Sequence, residues 1–304
     1  MNDLQATVLV PTFDHGPMLR YSVGSALTQT VEQLEVLIVG DGVPPVTQEV
    51  VAELSRDPRV RFFDHPKGAR HGEAYRHSAL LEARGRIVCY LSDDDLWTTD
   101  HVAAMLDLLA DADFAHALPV RVEPDGGIGG WATDLSLRRA RDLHLSGANS
   151  IPFSCGAHTI TMYRRLPHGW RTTPAGTPTD LYMWQQFLAQ PACRAVSGTR
   201  PTVVHFASPD RRGWTAEQRL DELHRWSRKL STQVGRRDFE RSVFDWVVRD
   251  CAALAAEMPP AWVRTLYQRL KPLGWPRRLF GQDAAAGPVR PEGPPSSEGR
   301  NREG

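Results

Sequence analysis

The strongest constraint on the fold is a regular alternation of short apolar runs and helical patterns through about the first 120 residues. Four runs rich in branched apolar residues have the length of buried strands, at residues 6–11, 34–39, 60–64 and 87–91. Helical patterns follow them at residues 17–29, 46–55, 72–84 and 97–110. Strands that alternate with helices in this way are joined by right-handed crossovers, so the sequence predicts an α/β fold with a doubly wound, mostly parallel sheet.

In such a sheet, ligands bind beyond the carboxyl ends of the strands. The residues that follow the four strands are Thr12-Phe13-Asp14, Asp41-Gly42, His65-Pro66-Lys67 and Asp93-Asp94-Asp95. Three adjacent carboxylates at the end of a buried strand repel one another and need a counter-ion. Mg²⁺ or Mn²⁺ would supply it, together with water and substrate phosphate as further ligands. Alternatively, the triplet begins the next helix, with Asp95 as the N-cap residue.

Composition excludes several classes of protein. The 304 residues include 36 basic and 36 acidic ones, so we expect no nucleic-acid binding driven by overall charge. The four cysteines are scattered without a CxxC pair, which argues against a zinc site or a disulfide framework and fits a reducing cytosol. The polar N-terminus passes directly into a strand pattern, and no apolar run approaches the roughly 20 residues of a membrane helix. We therefore expect a cytoplasmic location.

After residue 122 the pattern changes. Residues 123–127 have turn composition and predict a connection between antiparallel strands. Residues from about 130 to 205 mix short strands with loops, and their tryptophans, Trp170 and Trp184 among them, can either stack on a sugar or fill the core. Amphipathic helical patterns follow at residues 215–234 and 239–256.

Seven short motifs follow one another in a fixed order: Val10-Pro11-Thr12-Phe13-Asp14, Leu27-Thr28-Gln29-Thr30, residues 35–42, Tyr75-Arg76-His77, Ala83-Arg84-Gly85-Arg86-Ile87, Asp93-Asp94-Asp95 and residues 179–184. No single one of these motifs is specific enough to identify a family. Their order and spacing over roughly residues 6 to 190 resemble glycosyltransferase family 2, the inverting nucleotide-sugar transferases of the GT-A fold.

The resemblance implies a GT-A catalytic domain over residues 1–210, with a nucleotide-binding half to about residue 122 and an acceptor half over about 123–210. A helical C-terminal extension would then cover residues 211–280. Residues 281–304, rich in Gly, Pro, Ser and charge, have the composition of a disordered tail. The implied donor is a nucleoside-diphosphate sugar, and the implied acceptor is a glycan, a lipid-linked sugar or a small molecule. The implied cofactor is Mg²⁺ or Mn²⁺.

On the donor side, the residues that the resemblance assigns to the nucleotide are Pro11, Thr12, Asp14, Asp41, Arg76 and Asp93. Asp41 would accept a hydrogen bond from the base imide, although Asp-Gly is also a common turn pair. Arg76 would approach the diphosphate or orient an aspartate of the triplet, but a solvated helix arginine fits the pattern equally. The chain departs from the frequent Asp-Asp-Gly pattern because Gly40 stands at the first acid.

For the metal, the resemblance implies Asp94 as the principal ligand, with Asp95 and His205 as further ligands. Asp93 would face either the ribose or the metal. Ser92 stands where the family usually has its first acid. A lone histidine at a strand end, such as His205, can equally be structural.

On the acceptor side, Asp180 matches the family's general base, which takes the proton of the attacking hydroxyl. The competing interpretation is that Asp180 is the N-cap of the helical pattern at residues 181–189. Further along, residues 211–214 (Arg-Arg-Gly-Trp) combine cations, a glycine hinge and an aromatic in a loop that could close over the donor phosphates.

Functions of other classes fit less well. A nucleotidyltransferase would need a glycine-rich basic loop after the first strand, and an NAD-dependent dehydrogenase would need a GxGxxG motif. The chain has neither feature in that context. The remaining alternative is a catalytically inactive sugar-nucleotide-binding or scaffold protein of the same fold, against which Asp94 and Asp180 argue.

Residues 262–280 contain five basic residues and no acidic one, interspersed with apolar and aromatic side chains. This mixture suits a peripheral segment on the anionic inner face of a membrane. It equally suits a helix that docks its apolar face on the catalytic domain. Pro272 and Pro276 disfavour a single continuous helix in either case.

Overall fold

The computed structural model describes residues 4–257, 265, 268 and 269. The strands are β1 Ala6–Thr12, β2 Leu34–Gly40, β3 Val60–Phe63, β4 Ile87–Tyr90, β5 Leu96–Trp97, β6 Phe114–His116, β7 Val120–Val122, β8 Ile128–Gly130, β9 Gly156–Thr159, β10 Ala195–Ser197 and β11 Val203–Val204. The helices are α1 Gly16–Leu27, α2 Pro45–Leu54, α3 Glu73–Leu81, α4 His101–Leu108, α5 Arg138–Leu145, α6 Ile160–Tyr163, α7 Thr179–Leu188, α8 Ala216–Leu230 and α9 Gln233–Glu257.

Seven strands form the central sheet in the order β10-β6-β9-β4-β1-β2-β3. Strand β9 runs antiparallel to β4 and β6, whereas the other pairs are parallel. The inner strands β1, β2 and β4 are almost entirely buried, as expected for a sheet covered by helices on both faces. The predicted mostly parallel, doubly wound sheet is therefore confirmed.

The chain directly after the aspartate triplet differs from the prediction. Leu96 and Trp97 form β5, which pairs antiparallel with β11, and the helix predicted from residue 97 begins only at His101. Both residues of β5 are buried, so tertiary pairing prevails over the local helical pattern. The interpretation of Asp95 as a helix N-cap is consequently wrong.

The predicted turn after residue 122 is confirmed. Strands β7 and β8 pair antiparallel, and Gly126 in the connection has a φ of 87°, a conformation that glycine adopts at low cost. A single backbone bridge from β7 to His205 joins this hairpin to the segment that follows β11.

The tryptophans of the acceptor half lie in the core. Trp170 and Trp184 are almost fully buried and pack edge-on against Tyr90. Their indole N–H groups donate to the Tyr90 hydroxyl at 3.0 Å and to the Ile151 carbonyl at 2.9 Å. Because neither ring is accessible, these two residues fill the core and do not stack on a sugar.

The C-terminal part contains the two predicted helices, α8 and α9. Helix α8 begins with a capping box between Thr215 and Gln218. The chain divides into two compact units, residues 1–243 and 244–304. None of the helices in the described residues is long and apolar enough to cross a membrane. The predictions for residues 262–280 and 281–304 lie outside the described residues, apart from positions 265, 268 and 269.

Candidate functional site

A cavity of about 480 Å³ opens at the carboxyl ends of β1 and β4. Its wall brings together five of the predicted site residues: Pro11, Arg76, Asp94, Asp180 and His205. Residues 206–209, which follow β11, form another part of the wall. The pairing of β5 with β11 thus places residues from two distant parts of the chain around one space.

Asp94 is the triplet residue that faces the cavity. Its carboxylate accepts hydrogen bonds from the Ser92 hydroxyl at 2.7 Å and the Ser208 hydroxyl at 3.1 Å, and it forms an ion pair with Arg219 of α8. Burial and the neighbouring carboxylates of Asp95 and Asp93 raise the pKa of Asp94 above its ordinary value. A carboxylate in these surroundings gains stability from an added cation.

Asp93 lies beside Asp94 and contacts the loop after β1. Its carboxylate accepts a hydrogen bond from the Thr12 hydroxyl at 2.7 Å and lies 3.1 Å from His15 Nδ1. The hydrogen bond to Asp93 raises the pKa of His15 to about 9 despite burial. In this arrangement His15 is a cation at neutral pH, and it offsets part of the negative charge of the triplet.

Ligand atoms of His15, Asp93 and Asp94 all lie within 4.8 Å of one another. The two carboxylates suit Mg²⁺ or Mn²⁺, and the imidazole of His15 can join them as a Mn²⁺ ligand once it gives up its proton. The residues present therefore fit a divalent cation. This group differs from the predicted set, because it contains His15 and does not include Asp95 or His205.

Asp95 and His205 form a separate pair. Asp95 is fully buried, and its carboxylate accepts hydrogen bonds from the Phe206 N–H at 2.8 Å and the Ser154 hydroxyl at 2.5 Å, with His205 Nδ1 at 3.0 Å. Burial opposes ionisation, yet His205 and these donors together lower the pKa of Asp95. The carboxylate thus joins the end of β4 to the chain after β11, and its surroundings are those of a structural ion pair.

His205 lies between Asp95 and the cavity, with 24% of its side chain exposed. Burial alone would lower the pKa of His205, but the attraction of Asp95 outweighs it and raises the pKa above the ordinary value. Its Nδ1 atom contacts the Asp95 carboxylate, and the role of His205 as a metal ligand stays a prediction.

Arg76 is a buried cation in the same wall. Its guanidinium lies 4.8 Å from the ring centroid of Trp170 and 5.3 Å from that of Phe153, and it donates to the His71 carbonyl at 3.1 Å. Its Nε atom has no hydrogen-bond partner among the described residues. Burial lowers the pKa of Arg76 to about 10, so the side chain remains charged at neutral pH. The interpretation as a solvated helix arginine is wrong.

Asp180 lies on the acceptor side of the cavity, in the first turn of α7. Pro178 occupies the N-cap position, so the interpretation of Asp180 as the cap is wrong. The carboxylate accepts hydrogen bonds from Asn149 Nδ2 at 3.0 Å and from the Leu181 N–H at 2.8 Å. Burial raises the pKa of Asp180, which increases its affinity for a proton.

Asp41 lies outside the wall of this cavity, at the end of β2. It accepts hydrogen bonds from the Gly68 N–H at 2.6 Å and from Lys67 Nζ at 2.5 Å. Lys67 also lies 5.4 Å from the ring centroid of the exposed Phe13. Lys67 of the loop after β3 thus contacts both Asp41 and an accessible aromatic ring, so Asp41 has partners outside its own turn.

The remaining predicted residues occupy the edge of the site. Asp14 is 61% exposed and lies 3.8 Å from His15. Arg211, expected in a loop over the phosphates, is instead buried in an ion pair with Glu222, and it donates to the Val122 carbonyl at 3.0 Å. The prediction for Arg211 is wrong, because a cation with a buried carboxylate partner is not free to bind phosphate.

Sequence reasoning missed several residues of the site. His15 directly follows the Thr12-Phe13-Asp14 segment, so the rule on strand ends could have found it by extension to one more residue. Lys67 lies in a segment that this rule selects, but nothing in the sequence indicates its contact with Asp41. Arg219 lies 125 residues after its partner Asp94, and no local pattern signals the contact.

Comparison with known proteins decides the family. The model of "Glycosyl transferase family 2" matches residues 7–168, more than half of the chain. The chain belongs to glycosyltransferase family 2. The matched region includes every predicted site residue except Asp180 and His205.

Two curated relatives of this family 2 chain have informative names. A UDP-Glc:alpha-D-GlcNAc-diphosphoundecaprenol beta-1,3-glucosyltransferase, WfgD of Escherichia coli, is 27% identical over 36% of this chain and 42% of the relative. The chondroitin synthase of Pasteurella multocida is 32% identical over 40% of this chain and 13% of the relative. The chain thus spans less than half the length of these relatives, and it aligns with 18% of an uncharacterized glycosyltransferase of Rickettsia conorii.

A solved structure supports the fold assignment of the family 2 chain. The crystal structure of residues 1–349 of TarS from S. aureus superposes with a TM-score of 0.52 and 14% identity, and the match covers 90% of this chain and 82% of that chain. TarS was also solved in complex with UDP-GlcNAc. The likeness confirms the GT-A fold.

Proposed function

We propose that this family 2 protein transfers a sugar from a nucleoside-diphosphate sugar to an acceptor hydroxyl, with inversion at the anomeric carbon. The observation that carries this proposal is the single cavity that combines Asp94, Asp180 and Arg76. An inverting transfer needs a base on one side of the anomeric carbon and positive charge on the other, where the diphosphate leaves. The wall of the cavity supplies residues of both kinds.

Asp180 is the proposed general base. The acceptor oxygen forms a bond to the anomeric carbon while the bond to the diphosphate oxygen breaks, and the hydroxyl proton passes to the Asp180 carboxylate. The hydrogen bond from Asn149 fixes the orientation of this carboxylate. Its raised pKa makes it a stronger base than an ordinary aspartate.

The departing diphosphate would be bound by cations of the wall. Arg76 is charged and lacks a carboxylate partner among the described residues, which favours an external anion as its partner. His205, in the same wall, adds an imidazole whose pKa is raised by Asp95. His15, Asp93 and Asp94 would hold a divalent cation, which neutralises phosphate charge when it is bound.

For the donor, we propose that the nucleoside lies along the loops after β1, β2 and β3. Asp41 and Lys67 offer a hydrogen-bond acceptor beside a donor, and Phe13 offers an exposed ring for stacking. For the acceptor, the name of WfgD points to a glycan on a lipid diphosphate, so a lipid-linked sugar is the first acceptor to test. A cytoplasmic location with peripheral contact at the inner face of the membrane would suit that acceptor.

A screen of nucleotide sugars tests the function. The protein is incubated with UDP- and GDP-sugars and a lipid-linked or soluble acceptor, in Mn²⁺, in Mg²⁺ and in EDTA. We expect a free nucleoside diphosphate and a product whose anomeric configuration, measured by NMR, is opposite to that of the donor. A retained configuration would contradict the inverting mechanism. Binding of a nucleotide sugar without any hydrolysis or transfer would instead support the inactive-scaffold alternative.

A further inference from the structure

Arg219 of α8 occupies the space beside the proposed metal ligands. Its guanidinium forms an ion pair with Asp94, donates to the Ser208 hydroxyl at 3.3 Å and lies 3.2 Å from His15 Nε2. Only 12% of the side chain is exposed. Its Nε atom is buried and has no hydrogen-bond partner among the described residues. The arginine therefore has a strong contact with Asp94 and an unused donor in the cleft.

The contact creates a competition. A divalent cation and a guanidinium are both attracted to the same Asp94 carboxylate. If both contacted it at once, the two positive charges would lie close together and repel each other. An arginine does not lose its charge by deprotonation, so it must move when the cation binds. The move is costly unless the guanidinium finds another anion, because a largely buried charge without a partner is unfavourable.

The donor carries a suitable anion. Guanidinium groups bind phosphates with paired hydrogen bonds, and the diphosphate of a nucleotide sugar would lie next to the cation held by Asp94.

The helix that carries Arg219 is anchored on both sides of this residue. On the N-terminal side of Arg219, the capping box at Thr215 fixes the start of the helix. On its C-terminal side, Glu222 forms the buried ion pair with Arg211, and His224 lies 2.9 Å from the Tyr21 hydroxyl. A change of partner thus requires movement of the side chain only.

We propose that Arg219 pairs with Asp94 in the empty enzyme and passes to the donor diphosphate when a divalent cation binds Asp94. This inference rests on the proposed function. It has a thermodynamic consequence, because a nucleoside diphosphate gives the displaced arginine a new partner. The cation and the nucleotide therefore bind with positive coupling, and each raises the affinity for the other by the same factor.

The test measures binding without turnover. Mn²⁺ affinity is determined by electron paramagnetic resonance with and without UDP, and UDP affinity by calorimetry with and without Mn²⁺; GDP replaces UDP if UDP does not bind. The variants are Arg219→Ala and Arg219→Lys. The matched control is Arg225→Ala, which removes an exposed arginine from the same helix. Circular dichroism verifies that each variant is folded.

In Arg219→Ala we expect Mn²⁺ alone to bind at least about fivefold more tightly, the low end of typical coupling factors. UDP in the presence of Mn²⁺ should bind at least about fivefold more weakly, so the coupling falls to the part that comes from direct attraction between the cation and the phosphates. Arg219→Lys should keep part of the coupling, because it retains the charge but loses the planar fork. Arg225→Ala should behave as the unsubstituted protein.

Unchanged or weaker Mn²⁺ binding in folded Arg219→Ala would overturn the competition, and unchanged UDP affinity would overturn the diphosphate contact. If Arg219→Ala does not fold, Arg219→Lys decides by whether the coupling falls below that of the unsubstituted protein. Another result would distinguish failure of this inference from failure of the proposed function. If the unsubstituted protein binds neither Mn²⁺ nor any nucleoside diphosphate, the proposed function itself is wrong.

Discussion

At the residue scale, four aspartates around one cleft differ because of their neighbours. Asp95 has its pKa lowered by His205 and by its hydrogen-bond donors, which outweigh burial. Asp94 and Asp180 have theirs raised by burial. Asp93 has a threonine hydroxyl and His15 as partners. The same side chain thus suits a structural ion pair at Asp95, a cation ligand at Asp93 and Asp94, and a base at Asp180.

Asp180 provides the first residue-scale prediction. Asp180→Asn keeps the shape and removes the proton acceptor, so we expect turnover to fall by at least about 10²-fold with little change in donor affinity. Steady-state kinetics and calorimetric titration of the donor measure the two effects. Asp111→Asn, an exposed aspartate before β6, is the control and should leave both values unchanged. Near-normal turnover in Asp180→Asn would exclude it as the base.

The two neighbours Asp94 and Asp95 should respond differently to the same substitution. Asp94→Asn is expected to abolish Mn²⁺-dependent binding of a nucleoside diphosphate while the protein stays folded, since its carboxylate is proposed to hold the cation. Asp95→Asn is expected to lower the free energy of unfolding by about 1–3 kcal/mol, because the amide leaves buried donors without their charged acceptor. Urea denaturation and nucleotide titration of both variants are the measurements. Equal effects of both variants on metal binding would assign the cation to Asp95 as well.

At the element scale, the position of the site depends on two connections that are distant along the chain. Strand β11 pairs with β5 and brings His205 to Asp95. Helix α8 then brings Arg219 to Asp94. The buried ion pair between Arg211 and Glu222 links the turn at residues 208–211 to this helix. The geometry of the cleft therefore relies on elements outside the first 122 residues.

The ion pair of Arg211 and Glu222 can be tested by comparing a single variant with a double variant. Arg211→Met leaves Glu222 charged, buried and unpaired, so we expect a loss of about 3–5 kcal/mol in the free energy of unfolding. The double variant Arg211→Met with Glu222→Leu should recover most of this loss, because an apolar pair replaces the ionic one. Arg212→Ala, at the exposed neighbouring position, should change stability by less than about 0.5 kcal/mol. A small effect of Arg211→Met alone would show that the pair contributes little.

At the scale of the whole molecule, three buried histidines should make the protein sensitive to acid. Burial lowers the pKa of His101 and His158 to about 3 and that of His116 to about 4. In the unfolded chain each of them has an ordinary pKa near about 6.5. Between these values the unfolded state binds more protons than the folded one, so stability falls as the pH falls.

The expected pH profile follows from this difference in the number of bound protons. The contribution of the three histidines is complete above about pH 6.5 and is lost as the pH decreases toward 4, with a slope of up to about 1.4 kcal/mol per pH unit for each group. Urea midpoints measured from pH 7.5 to 4 determine the slope. His116→Gln should reduce it by the share of one histidine, whereas replacement of the exposed His168 should not alter it. An equal slope in His116→Gln and in the unsubstituted protein would contradict the buried, neutral state of His116.

The sequence alone determined the fold class and much of the donor side of the site. Hydrophobic periodicity is a local property, so the strands β1 to β4 and the helices between them could be read from the chain within a few residues. The rule that ligands lie beyond the strand ends then selected Thr12, Asp41 and Asp94. The order of the family motifs added Arg76 and Asp180, which the structure places in one cavity with Asp94.

Only the tertiary structure decided which partner each of these side chains has. The helical pattern at residue 97 did not anticipate β5, because its partner β11 is more than 100 residues away along the chain. The pairing of Asp95 with His205 and of Asp94 with Arg219 has the same origin. Electrostatic and hydrogen-bond energies depend on distance in space, and the spacing of residues along the chain does not encode that distance for segments so far apart.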